Sequence, residues 1–84
     1  MNDFTLMRLP AVMAERGRGR ASTYADIKAG LLTEPVKCGP GAVAWPAGEI
    51  RRLNQARIAG KTEDEIRELV RQLHAERRAA LEAH

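Results

Sequence analysis

Glycine and proline decide most of what this chain can become. They stand at Pro10, Gly17, Gly19, Gly30, Pro35, Gly39-Pro40-Gly41, Pro46, Gly48 and Gly60, so the longest run free of such breaks is the last one, residues 61–84. Proline fixes φ and withholds a backbone donor, and glycine reaches positive φ freely; both end regular structure where they stand. The chain must therefore be built from several short elements and one long one. At 84 residues it buries only about 60% of its extended surface. That is one modest domain with no room for a deep pocket.

The pieces between the breaks have distinct characters. Phe4 to Leu9 is short, mixed and plausible as extended chain. Pro10 suits the first turn of a helix, and Leu9, Val12 and Met13 share one apolar face, which predicts a first helix over Pro10–Arg16, stopped by Gly17. Ala21–Ala29 holds good helix formers, with Gly30 as the residue past its end and Leu31 or Leu32 as the accompanying apolar contact. Residues 10–30 thus read as helix, tight turn, helix. Val36-Lys37-Cys38 and Ala42-Val43-Ala44-Trp45 flank a Gly-Pro-Gly turn, which predicts a β-hairpin at 36–45. A third helix is expected over Ala47–Ala59, with Ile50, Leu53 and Ile58 as its buried stripe and Arg51, Arg52 and Arg57 off it. Thr62 with Glu65 forms a capping box, and the acids in this first turn suit the positive end of the helix dipole. That opens a fourth helix towards Ala80, about 27 Å long. The expected organisation is a helix-turn-helix unit with a hairpin wing over 1–60, followed by the long helix of 61–84.

Charge is unevenly placed. The net charge is +3, but residues 1–60 carry nine Lys or Arg against five acids, while 61–84 carry five against six. A polyanion-facing module followed by a near-neutral helix fits this pattern. Phe4, Tyr24 and Trp45 are the only aromatics, so the core must come from aliphatic side chains. Trp45 is expected to pack against the second helix as the largest core side chain, since one aromatic makes a poor platform for stacking bases. Cys38 is the single cysteine; it can form no internal disulfide, fits a reducing cytoplasm and is expected to be a small apolar side chain in a strand. His74 and His84 have no metal-ligand spacing. Neither a membrane span nor a signal peptide is expected, and no nucleophile–base pair or metal cluster emerges. An enzyme, and any cofactor, is not expected.

The basic residues Arg18, Arg20, Lys28 and Lys37 cluster around the second helix and the hairpin. Lys and Arg supply phosphate contacts, and Arg is the commonest reader of guanine edges. Recognition helices act through their first turn, where Arg20, Ser22 and Thr23 stand. Tyr24 lies within one turn of Ile27; it either packs with it, its hydroxyl turned outward, or contacts DNA directly. Ala21, Ala25 and Ala29 take the outward positions, small enough for close approach to a groove.

Taken in order, Met7-Arg8-Leu9-Pro10, Gly17-Arg18-Gly19-Arg20, Ser22-Thr23-Tyr24, Ile27-Lys28-Ala29-Gly30-Leu31, Pro35-Val36-Lys37, Ala42-Val43-Ala44-Trp45-Pro46, Glu49-Ile50 and Ala56-Arg57-Ile58-Ala59 resemble the AlpA family of phage regulatory proteins. The resemblance covers about residues 7–60. It implies a mostly α, MerR-like or excisionase-like winged helix-turn-helix: a short β-hairpin wing, a second helix in the major groove, and a long C-terminal helix outside the common core. It also implies double-stranded DNA as partner, with Arg20, Ser22, Thr23, Tyr24 and Lys28 serving the helix and Lys37 the wing. Members of such a family control transcription of excision genes, or act as recombination directionality factors beside a tyrosine recombinase. This sequence departs from the family where Arg18-Gly19, Ala25 and Gly41 stand; Arg18 is the candidate to replace the arginines absent at the last two.

The stripe Ile66, Leu69, Val70 and Leu73 on the fourth helix must be covered, because a lone helix of this length is marginal in water. It either folds back on the domain or pairs with another copy, so these four residues are the candidates for self-association on DNA. The same stripe supports a competing class of function, a protein-interaction module such as an antitoxin or inhibitor.

Overall fold

Gly17, Gly30, Gly41 and Gly60 each take positive φ where one element gives way to the next. The computed structural model describes residues 4–82; His84 lies outside them. The order is β1 (Leu6–Arg8), α1 (Leu9–Arg16), α2 (Arg20–Lys28), β2 (Val36–Gly39), β3 (Ala42–Pro46), α3 (Ala47–Ile58) and α4 (Glu63–Glu82). Gly17 and Gly30 take φ of +66° and +79°, where a Cβ is strained. At Gly30 the turn closes with two backbone bonds, Leu31 N–H to Asp26 O at 2.8 Å and Gly30 N–H to Ile27 O at 3.1 Å. This is the paired closure of a Schellman motif. The capping box forms as expected: Glu65 N–H donates to Thr62 Oγ1 at 3.1 Å, and Thr62 N–H donates to Glu65 Oε1 at 2.9 Å.

The hairpin is present but belongs to a larger sheet. Three antiparallel strands lie in the order β1-β3-β2, with Met7 opposite Trp45 and Val36 opposite Ala44. The expectation of two strands is corrected by β1. Ala44 and Trp45 are fully buried, so the second edge of β3 needs partners for its backbone groups, and Leu6–Arg8 supplies them. A three-residue strand is too short to declare itself by alternation.

Trp45 sits in the core with no exposed surface, and its indole N–H donates to Thr33 O at 2.8 Å. Leu9 and Val12 of α1, Leu31 and Leu32 of the loop, Ile50 and Leu53 of α3, and Ile66, Val70 and Leu73 of α4 complete the buried cluster. The apolar stripe of α4 therefore lies back on the domain, with Leu69 half-buried against the same core.

Two expectations about burial are overturned. Ile58 is 86% exposed rather than part of the α3 stripe. It stands five residues past Leu53, about 140° round the helix, and Ala56 takes the inward place instead. Cys38 is in a strand but exposed. The ladder is irregular between Lys37 and Gly39, and residues 37–41 are all exposed, beyond the cover of the core.

Candidate nucleic-acid interface

Helix α2 has two different sides. Thr23 and Asp26 are buried and Ile27 is half-buried against the core. Arg20, Tyr24 and Lys28, four residues apart, are exposed, as are Ala21, Ala25 and Ala29. Spacing of four puts side chains on one helical face. The outward surface is thus a stripe of Arg20, Tyr24 and Lys28 bordered by alanines. Tyr24 is 45% exposed and stands among the exposed large hydrophobic side chains. No side chain caps the helix at Gly19.

Not every expected contact residue lies on that stripe. Thr23 has no exposed surface, and its hydroxyl donates back to Gly19 O at 2.8 Å. The expectation of Thr23 as a DNA contact is corrected: three residues before Asp26, it shares the inward face and fastens the helix start. Ser22 is half-buried at the border. Arg18 is held by Asp26, with Nε to Oδ2 at 2.9 Å and Nη2 to Oδ1 at 3.1 Å, although its side chain stays 41% exposed.

Asp26 is the joint of the helix-turn-helix. Besides Arg18 from the turn it accepts a 2.7 Å hydrogen bond from Arg16 of α1, whose side chain is almost fully buried. Arg57 of α3 approaches to 4.0 Å. Burial alone would push the Asp26 carboxyl up. The hydrogen bonds and charges of Arg16 and Arg18 outweigh that and hold it below its ordinary value. One carboxylate therefore ties α1, the turn and α3 to the back of α2.

The wing carries Lys37 exposed on β2, paired with Val43. Arg8 on β1 donates to Val43 O at 3.1 Å, so a second cation stands on the opposite side of β3. Residues 5–58 match the profile of the family described as Prophage CP4-57 regulatory protein (AlpA). The chain belongs to the AlpA family. No curated protein and no solved structure matches it. The AlpA proteins are phage regulators, a DNA-binding rather than an enzymatic family. No helix among the described residues is long and apolar enough to cross a membrane.

Within this AlpA-family chain, the residues that sequence reasoning missed are Arg16 and Asp26. The available signal was faint: Thr23, Asp26 and Ile27 stand at i, i+3 and i+4, so an acid occupies an inward position of a short helix. Such an acid calls for a cation, but ten residues separate it from Arg16, and no periodicity joins them.

Proposed function

We propose that this protein is a sequence-specific double-stranded DNA-binding regulator of a prophage or integrative element. It acts as a recombination directionality factor beside a tyrosine recombinase, or as a transcriptional regulator of excision genes. The observation that carries this reading is the Arg20–Tyr24–Lys28 stripe on α2, exposed on the same small domain as Lys37 of the wing. An α-helix with its side chains is about 10–12 Å across, which a major groove about 12 Å wide admits, and the nine residues of α2 give it about 13 Å to lie along that groove. Arg20 at its start reads base edges, Tyr24 and Lys28 meet the backbone, and Lys37 meets the backbone beside it. Arg18 and Ser22 border this contact surface.

A single winged unit reads few base pairs, too few for a unique genomic site. Several copies therefore act together on adjacent repeats. The stripe of Ile66, Val70 and Leu73 already covers the chain's own core, so copies meet through the DNA and through other surface.

The test is a titration of the element's attachment-site duplex and of its excision-gene promoter against a scrambled duplex of equal length. Preference for the attachment site, with excision by the recombinase in its presence, supports the directionality role. Preference for the promoter, with a changed transcript level, supports the regulatory role. Equal, weak binding to all three duplexes sinks both.

A further inference from the structure

The reading helix and the wing are joined by residues 29–35, a link without helix or strand. The closure at Gly30 sets its first turn, but from Leu32 to the wing it has neither helix nor strand. Leu31 and Leu32 anchor its middle in the core, and Trp45 holds Thr33 O. Its two ends are held by α4. Arg67 Nε donates to Ala29 O at 2.9 Å, with its stem lying across Gly30, where a Cβ would come within 3.6 Å of Cγ. Glu34 N–H donates to His74 Nε2 at 3.1 Å, and Glu34 O accepts from Arg77 Nη2 at 2.8 Å. Arg77 is in turn fixed by both oxygens of the buried Glu49, at 2.7 and 2.6 Å. Arg67 and His74 stand seven residues apart, two turns along one face and about 10 Å, and Arg77 follows one turn later. Three side chains of α4 thus grip three backbone groups at the two ends of the link.

All three lie outside residues 5–58, the span that matches the family. We propose that Arg67, His74 and Arg77 are positioning residues for DNA binding. They splint the link so that wing and reading helix meet the duplex as one preformed surface. The inference rests on the DNA-binding reading above. Its physical basis is preorganisation: a surface already set in its bound geometry loses less freedom on binding. Arg67 and His74 are not part of the contact stripe, and their bonds to the link are separate from the buried stripe that holds α4 in place.

Two measurements on the full chain test this. The first is amide hydrogen exchange without DNA in Arg67→Ala/His74→Ala. Exchange at Glu34 and over the wing should rise roughly two- to tenfold, the loss expected of single hydrogen bonds, while α1 and α3 stay unchanged. His74→Gln, whose amide oxygen takes the place of the accepting nitrogen, should restore protection at Glu34 when introduced in place of His74→Ala. A uniform rise over the whole domain would reduce both side chains to general stabilisers and overturn the proposal. The second is a double-mutant cycle with Lys37→Ala on a bound duplex. Removing Lys37 should weaken wild type more than it weakens the double variant, by about twofold or more. An equal loss in both backgrounds overturns the positioning role. If wild type binds no duplex, it is the DNA-binding reading that fails, and the exchange pattern still decides whether α4 splints the link.

Discussion

Asp26 is the only acid in α2, and it stands behind a face that carries Arg20 and Lys28. Its value is structural, and removal would be costly. Asp26→Ala leaves the Arg16 guanidinium buried without its carboxylate, a loss of about 3–5 kcal/mol by analogy with other broken buried pairs. Urea denaturation would measure it; a change within error would remove Asp26 from the framework. The pH dependence has a defined sign. The folded carboxyl titrates below its ordinary value near 3.8, so its contribution is complete above that value and is lost as pH falls through the lower, folded one. The stability gap between wild type and Asp26→Asn should hold constant near neutral pH and narrow as pH falls below about 4. On the opposite face, Arg20→Ala should lower specific affinity by about 1–3 kcal/mol and relax the site preference, as losing one base contact does. Lys37→Ala should weaken all sequences alike. Affinities for a specific and a scrambled duplex separate the two effects.

Among the elements, legibility followed the strength of local rules. The four helices lay open in the sequence because glycine, proline and the Thr62–Glu65 box act within a few residues of themselves. The capping box can be tested at that level: Thr62→Ala should destabilise by about 0.5–2 kcal/mol, read as a shift in the denaturation midpoint with unchanged slope. The hairpin was legible through its Gly-Pro-Gly turn, but β1 was not, since its pairing with β3 depends on a neighbour almost forty residues away. The contact stripe was partly legible for the same reason. Arg20, Tyr24 and Lys28 follow from helical spacing alone. The inward turn of Thr23 and the engagement of Arg18 depend on Asp26 and Arg16, a pair made by tertiary packing. Ile58 was misplaced because a stripe drawn by residue type ignored how far the helix had rotated.

At the scale of the molecule, the cations of the contact surface act together. Arg20, Lys28 and Lys37 each displace roughly one counterion from duplex DNA, so the log–log dependence of affinity on salt should slope by about −3, or −4 if Arg18 leaves Asp26 for a phosphate. Titrations at several salt concentrations give the slope, and Asp26→Asn tests the last term by freeing Arg18. A slope near zero would remove the electrostatic account of binding.

The span shared with the family ends at residue 58, yet the core does not. Ile66, Val70 and Leu73 close it from beyond that point. Side chains of this kind contribute about 1.5–3 kcal/mol each when fully buried, and together they rival the 5–15 kcal/mol that holds a typical domain folded. A fragment cut after Gly60 should therefore lose cooperative melting, which calorimetry would record as the absence of a transition. The stretch that matches the family and the stretch that closes the core have different borders in this chain. Anyone grafting the shared segment into a fusion must bring the last helix with it, or supply another apolar surface in its place.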